Sequence, residues 1–548
     1  MALPRRTPGS AALRAPPRAP AQERLRRVAV PRHGCCCPAL GALADRCRRA
    51  GRRAALPPAL GVVGPARAGP ARGGDVERRD RAPQEVSPGV LNPWRVRLVA
   101  WSAALVALAF AQAPGQVAGD TKLDLVVDPG AFLGRALHLW DASGAYGQVQ
   151  NQAYGYLFPM GPFFGLGDLV GLPPWVVQRL WWSLVLVVAF LGVVKLLGAL
   201  RIGVGWTRVL AALAYALSPR ILTILGASSI EAWPAALAPW VLVPLVLVAR
   251  GKDPRRAALW SAVAVACVGG VNAAATFAVI PMAAWCIWSM PAGPRRRVLL
   301  TWWPPAVLLA TAWWLAPLFL LGRYSPPFLD YIESIANTSF AATTTDALRG
   351  TTNWVAYVDP SSQAGQAFLS DRLLALNVAV VVTLGLLGLA RADLPSRRLL
   401  VPPLLLGLVM VTAGHLGSTT GWGSDTVRAL LDGSLAPLRN THKFDVLVRL
   451  PLVVGLCHAC TVLTRPRVVG KVAAAAMVVV SVTGVVGASS PAWSAQTAPR
   501  GTFNGVPDYW REAATWLEAE GNGRALLTPA STFGRYVWGR TNDEPLQA

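Results

Sequence analysis

The chain has 548 residues, 53% of them hydrophobic and only 15% charged, with a mean hydropathy of +0.41. Soluble domains carry about 25% charged residues, so this composition excludes an ordinary water-soluble globule and points to a membrane protein. The net charge of +24 does not call for nucleic acid. Residues 1–89 hold 18 arginines against 6 acids, and the remaining excess sits mostly in short loops between apolar stretches.

Residues 1–89 are rich in Arg, Ala, Pro and Gly, without apolar periodicity or the apolar core of a signal peptide. Two readings fit: a basic cytoplasmic tail touching anionic lipid, or a start codon placed too far upstream in a GC-rich gene. Cys35, Cys36, Cys37 and Cys47 lie in this segment, while Cys267 and Cys286 lie in apolar stretches. Cys457 and Cys460 form a CxxC inside a predicted span, where packing is expected rather than a redox or zinc site.

From residue 90 onward, apolar stretches approach the length of about 20 residues that a bilayer requires. Spans are expected near 97–117, 175–195, 207–226, 233–249, 257–275, 277–291, 299–321, 373–390, 399–414, 446–463 and 468–488. With eleven spans, Arg95 and Arg97 share one side with Lys195, Arg201 and Arg208; Arg250 to Arg256; Arg295 to Arg297; Arg391 to Arg398; and Arg465 to Lys471. Of the 22 acids after residue 85, only Asp253 and Asp393 fall in those loops. The positive-inside rule makes that side cytoplasmic and the N-terminus cytoplasmic too, in a multi-pass plasma-membrane protein.

The longer loops, 118–174, 322–372 and 415–445, then face outward with the tail after 489. Trp175, Trp181, Trp182, Trp233, Trp302, Trp303, Trp313 and Trp314 are expected as interfacial anchors. The tail stretch PDYWREAATWLEAEGNGRALLTP suggests an amphipathic helix and then a strand, the start of a truncated outer domain at 491–548 following a membrane domain at 90–490.

Candidate chemistry lies on that outer face. Asp120, Asp124 and Asp128 are spaced four apart, so a helical turn would align them. Such a carboxylate can serve as a general base toward a sugar hydroxyl, or sit as a solvated acidic loop. Glu231 is the only ionisable residue in the turn GASSIEAWP, which makes it a candidate at the membrane boundary. Arg220, loosened from its span by Pro219, suits a phosphate leaving group or simply snorkels. RNTHKFDVLVRL gathers Arg439, His442, Lys443, Asp445 and Arg449 against the positive-inside bias, which suggests an anionic ligand or contact with lipid phosphate. In GQVQNQAYGYLFP, Gln150, Asn151, Gln152, Tyr154 and Tyr156 suit carbohydrate through amide hydrogen bonds and aromatic faces; a packed rigid loop explains them nearly as well. No Walker A, HExxH, GxSxG or strand-following GxGxxG motif is present.

DTKLDLVVDP, GQVQNQAYGYLFPMGPFF, SSIEAWP and RNTHKFDVLVRLPL, taken in order, resemble the AftD-type α-(1→3)-arabinofuranosyltransferases of actinobacterial cell walls, over about residues 90–548. The resemblance implies a GT-C glycosyltransferase, helical and polytopic, whose first outer loop carries the catalytic acid. It also implies a decaprenylphosphoryl-arabinofuranose donor and an arabinan acceptor of arabinogalactan or lipoarabinomannan. Asp120 and Asp124 match the acidic motif after span one, with Glu231 as a second active-site acid. Arg220, His442, Lys443 and Arg449 are expected at the donor phosphate. A divalent cation at the outer acids is left open. The competing classes are a lipid-linked-saccharide flippase, which would need repeat symmetry and polar residues along its spans, and a non-catalytic glycan-binding scaffold.

Overall fold

The computed structural model describes residues 92–120, 122–141, 147–149, 153–324, 333–415, 423–521, 523, 525–528 and 533–547. The basic N-terminal segment lies outside them. Most of the described chain is helix. Asn92 opens α1 (Pro93–Phe110) by accepting the Trp94 N–H, with Pro93 at the first helical position. The loop that follows holds α2 (Leu123–Val127), α3 (Pro129–Ala136) and α4 (Met160–Leu169). Next come α5 (Pro174–Leu200), α6 (Gly205–Ala216), α7 (Pro219–Leu225) and α8 (Ser229–Val248). They are followed by α9 (Pro254–Ala266), α10 (Ala273–Ala278), α11 (Ile280–Trp288) and α12 (Pro294–Tyr324). Later long helices run Arg372–Ala390, Arg397–Thr412, Asp445–Leu463 and Lys471–Ala488.

Among the described residues, seven helices are long and apolar enough to cross a membrane, or eight if the pair α6–α7, bent by 45°, is one span. The eleven expected spans therefore separate by length. Those at 257–275, 277–291 and 399–414 correspond to α9, to the broken α10–α11 run and to Arg397–Thr412, all shorter than the seven. Gly269 adopts φ +84, an αL geometry that suits glycine and ends the α9 segment before α10 begins.

Burial places the Asp445–Leu463 helix at the centre. Within its span 94% of the most apolar window is buried, against 11% for α1 and 17% for α12, which face outward from the bundle. A helix apolar all round belongs inside a bundle or in lipid. The central helix meets Arg372–Ala390 at backbone distance: a Cβ added to Gly388 would run into the Gly455 carbonyl, and one on Gly455 into the Gly385 carbonyl. Small residues at such crossings let membrane helices approach closely.

Trp181 and Trp182 are fully buried and Trp233, Trp303 and Trp314 nearly so, hence these five are core residues rather than interfacial anchors. Four of them spend their indole N–H inside the bundle, for example Trp233 on the Cys267 carbonyl and Trp303 on Ser261. Cys286, Cys457 and Cys460 are buried free thiols and Cys267 is a half-buried one.

The tail folds onto the loop after α1. The expected helix is present at Asp508–Glu520; the described residues 525–528 form no strand, and an antiparallel hairpin, Gly534–Tyr536 with Gly539–Asn542, comes later. Phe503 pairs with Val117 in an antiparallel bridge, and Asp543 accepts from the Leu123 N–H at 2.9 Å. Arg540 clamps Asp359 at 2.7 Å, and that guanidinium and the Ser361 donors hold the Asp359 carboxyl below its usual value despite burial.

Candidate active site

Helix breaks create the site. Pro219 cannot continue α6, because it lacks an N–H and its ring obstructs the preceding turn. The chain restarts there, placing Arg220 in the first turn of α7. A short turn at Gly226–Ser228 then starts α8, with Glu231 in its first turn, where a carboxylate complements the helix dipole. From elsewhere in sequence, a 3-10 turn at Thr441–Phe444 carries His442 and Lys443 into the central helix. Asn272, the N-cap of α10, comes from a third direction.

These residues converge on Glu231. Oε1 lies 3.2 Å from Lys443 Nζ and 3.4 Å from Asn272 Nδ2. Oε2 lies 3.4 Å from Arg220 Nη2 and 3.9 Å from His442 Nε2. The cluster joins two permanent cations and an imidazole to one carboxylate, so positive charge is in surplus. The contacts are also looser than the 2.7–2.9 Å of a closed charged pair. Arg220 Nη1 and His442 Nδ1 are buried and have no hydrogen-bond partner. Of the two, Arg220 Nη1 is a donor whatever the tautomer of His442; an unpaired buried donor costs on the order of 1–3 kcal/mol, and an anion would relieve that cost.

Asp120 is tied to the same helix. Its Oδ1 accepts the Ser229 backbone N–H, and its Oδ2 accepts the Trp182 indole N–H at 2.6 Å. Burial pushes its carboxyl up to about 6, against the opposite pull of those donors. Arg179, stacked 4.0 Å over Trp182, donates to the Gln112, Ala113 and Gln116 carbonyls and so fixes the loop leading to Asp120. The three aspartates do not share a helical face. Asp124 alone lies within α2, Asp120 precedes it in a turn, and Asp128 is spent as the N-cap of α3, accepting the Ala131 N–H at 2.8 Å. Asp124 pairs with Arg135 at 2.8 Å; burial raises its carboxyl while Arg135 opposes the shift.

Other expected site residues are placed elsewhere. Arg449 binds Asp445 at 2.8 Å and donates to the Leu348 and Ala347 carbonyls, so its donors are used within the fold rather than in the cluster. Tyr154 and Tyr156 are buried, Tyr154 among Trp314 and Leu321, Tyr156 edge-on to Phe132 at 5.6 Å. They pack the loop and present no face to a sugar. Gln150, Asn151 and Gln152 lie outside the described residues. Among the described residues no three His, Cys, Asp or Glu side chains are grouped to hold a metal ion, so the cation left open for the outer acids has no such ligand set there. Sequence reasoning passed over Asn272, Ser229 and Trp182. The polar pair Gln178–Arg179 inside an apolar span was the one available signal for this corner.

Residues 104–548 match the family model of the alpha-(1→3)-arabinofuranosyltransferase N-terminal GT-C domain. The chain belongs to that family. It is 44% identical over 463 residues to the alpha-(1→3)-arabinofuranosyltransferase of Mycolicibacterium smegmatis and 42% identical over 466 residues to that of Mycobacterium tuberculosis. Each alignment covers 81% of this chain and 33% of the relative, so the arabinofuranosyltransferase-family chain spans about a third of their length. A cryo-EM structure of arabinofuranosyltransferase AftD from mycobacteria superposes with a TM-score of 0.69 at 40% identity, over 84% of this chain and 31% of that one. The helical polytopic GT-C fold expected from sequence is thus the fold of this family.

Proposed function

We propose that this chain is the membrane domain of an arabinofuranosyltransferase that moves arabinofuranose from a polyprenyl-phosphate donor to an arabinan acceptor. The observation that carries this reading is the cation-rich cluster on Glu231, with Arg220 Nη1 and His442 Nδ1 buried and unpaired. In this reading the donor phosphate sits against Arg220, His442 and Lys443; the two cations, Arg220 and Lys443, offset the charge it gains as it leaves. Glu231 holds the three in place and keeps their repulsion in check.

Asp120 takes the proton of the acceptor hydroxyl. The acceptor oxygen bonds to the anomeric carbon, the bond from that carbon to the phosphate oxygen breaks, and polyprenyl phosphate departs with inversion. A carboxyl raised to about 6 is better matched to proton abstraction near neutral pH than one at its ordinary value. Asp124 acts on Arg135 and the α2–α3 turn. The site faces the outer side of the plasma membrane, as the charge pattern of the loops suggests, and residues 491–548 begin an outer domain.

Membranes carrying Asp120→Asn and Asp124→Asn, assayed for transfer from polyprenylphosphoryl-arabinose, test the assignment. Asp120→Asn should lose about 10²–10⁴-fold in rate, as for a missing general base. Full transfer by Asp120→Asn with loss by Asp124→Asn would hand the base to Asp124; full transfer by both would sink the mechanism.

A further inference from the structure

A recess lies at the far end of the α10–α11 run that begins at Asn272. There the C-terminal half of α11, the first turns of α12 and the start of Arg397–Thr412 enclose an apolar groove of about 550 Å³. Pro281, Trp285 and Trp288 line it from α11, Leu300 and Trp303 from α12, and Leu406 from the third helix. Trp288 is 61% exposed and Leu300 and Leu406 each 43%, so the groove is open on the side where a membrane protein meets lipid. Its volume falls in the range of sites that take a small molecule or a lipid chain.

The mouth is cationic. The guanidinium of Arg296 lies 4.6 Å over the Trp288 ring, and its Nε is buried without a hydrogen-bond partner. The Arg398 backbone closes the rim, its carbonyl accepting the Trp285 indole N–H at 2.8 Å. The acids of these loops are engaged elsewhere: Asp253 caps α9, and Asp393 is taken by Arg391 and His458. Cations at the membrane surface above an open apolar groove match one ligand chemistry, an anionic head group joined to hydrocarbon chains.

We propose that this groove holds a resident anionic phospholipid, its acyl chain along Pro281–Trp288 and its phosphodiester at Arg296. By the positive-inside pattern this end faces the cytoplasm, so the lipid belongs to the inner leaflet. The site is separate from the Glu231 cluster and does not depend on the reaction assigned to it.

Native mass spectrometry of the delipidated protein, given phosphatidylglycerol and phosphatidylcholine in equal amounts, tests this. The wild type should retain phosphatidylglycerol preferentially, and Arg296→Ala should lower that preference about fivefold, the effect of one arginine at a charged membrane surface. Ala284→Trp, which fills the groove and leaves the arginines in place, should displace both lipids. If that variant does not fold, Arg296→Ala alone decides. Equal retention of the two lipids by the wild type, an unchanged preference in Arg296→Ala, or displacement of phosphatidylglycerol by polyprenyl phosphate would each overturn the proposal.

Discussion

Arg220 and Arg449 are both buried beside a carboxylate, yet their surroundings differ. Arg449 closes on Asp445 at 2.8 Å and gives its other donors to two backbone carbonyls. Arg220 stands 3.4 Å from Glu231, shares that carboxylate with Lys443 and His442, and leaves Nη1 unpaired. The first arrangement satisfies its charges and fastens the central helix to the short helix Thr344–Arg349. The second leaves Arg220 Nη1 unsatisfied, a donor that an anion, or ordered water, would complete. Burial and charge are alike at the two arginines; the donors left unsatisfied are what differ.

The contrast can be broken most sharply at Arg449. Arg449→Ala leaves Asp445 buried and unpaired, and should cost about 3–5 kcal/mol of stability. That cost would appear as a lowered unfolding midpoint or as failure to accumulate in membranes. Arg220→Ala leaves Glu231 with Lys443, so its unfolding midpoint should stay near that of the wild type. Its affinity for polyprenyl phosphate should instead fall about 10–100-fold, the value of a charged hydrogen bond. If the two variants exchanged these phenotypes, the donor-count argument would be wrong.

A smaller effect is expected from pH. Because burial raises Asp120 to about 6, the ionised base is depleted as pH falls through that value. Transfer should therefore drop about tenfold between pH 7 and pH 5 and level off above pH 7. The same shift opposes folding with the opposite sign: the contribution of Asp120 to stability falls as pH rises from 3.8 toward 6. A pH–rate profile with no inflection near 6 would remove Asp120 from the role of base. Least of all should Tyr154→Phe matter, because the ring packs against Trp314 and Leu321 and the change keeps it. Transfer within about twofold of wild type is expected for such a volume-conserving substitution, and a large loss would restore the tyrosine to sugar binding.

Much of the membrane fold was legible from apolar length, and the limits of that signal are physical. A hydropathy window counts apolar residues but does not register the break at Gly269, so α9 and the α10–α11 run looked like full spans. Arg220, Glu231, His442 and Lys443 could each be singled out, since each is a charge where the local pattern expects none. Their meeting could not be read, because it depends on three helix starts distant in sequence. Asn272 was invisible for a different reason: an asparagine before a helix already has an explanation as its cap. Tyr154, Tyr156 and the five buried tryptophans were misplaced because amphipathic rings suit a sugar, an interface or a core equally well, and only packing chooses among them.

The crossing at Gly385, Gly388 and Gly455 extends the address of the site well beyond its contacts. Gly455 lies on the helix that follows His442 and Lys443, about 18 Å along the axis from the cluster. A side chain at any of these positions meets the facing backbone and should force the two helices apart, with a shift of His442 and Lys443 from Glu231 as the expected result. A genetic screen for inactive but membrane-inserted variants should therefore return these glycines alongside the charged residues. A map of such lesions would trace the scaffold that aims the site as well as the site itself.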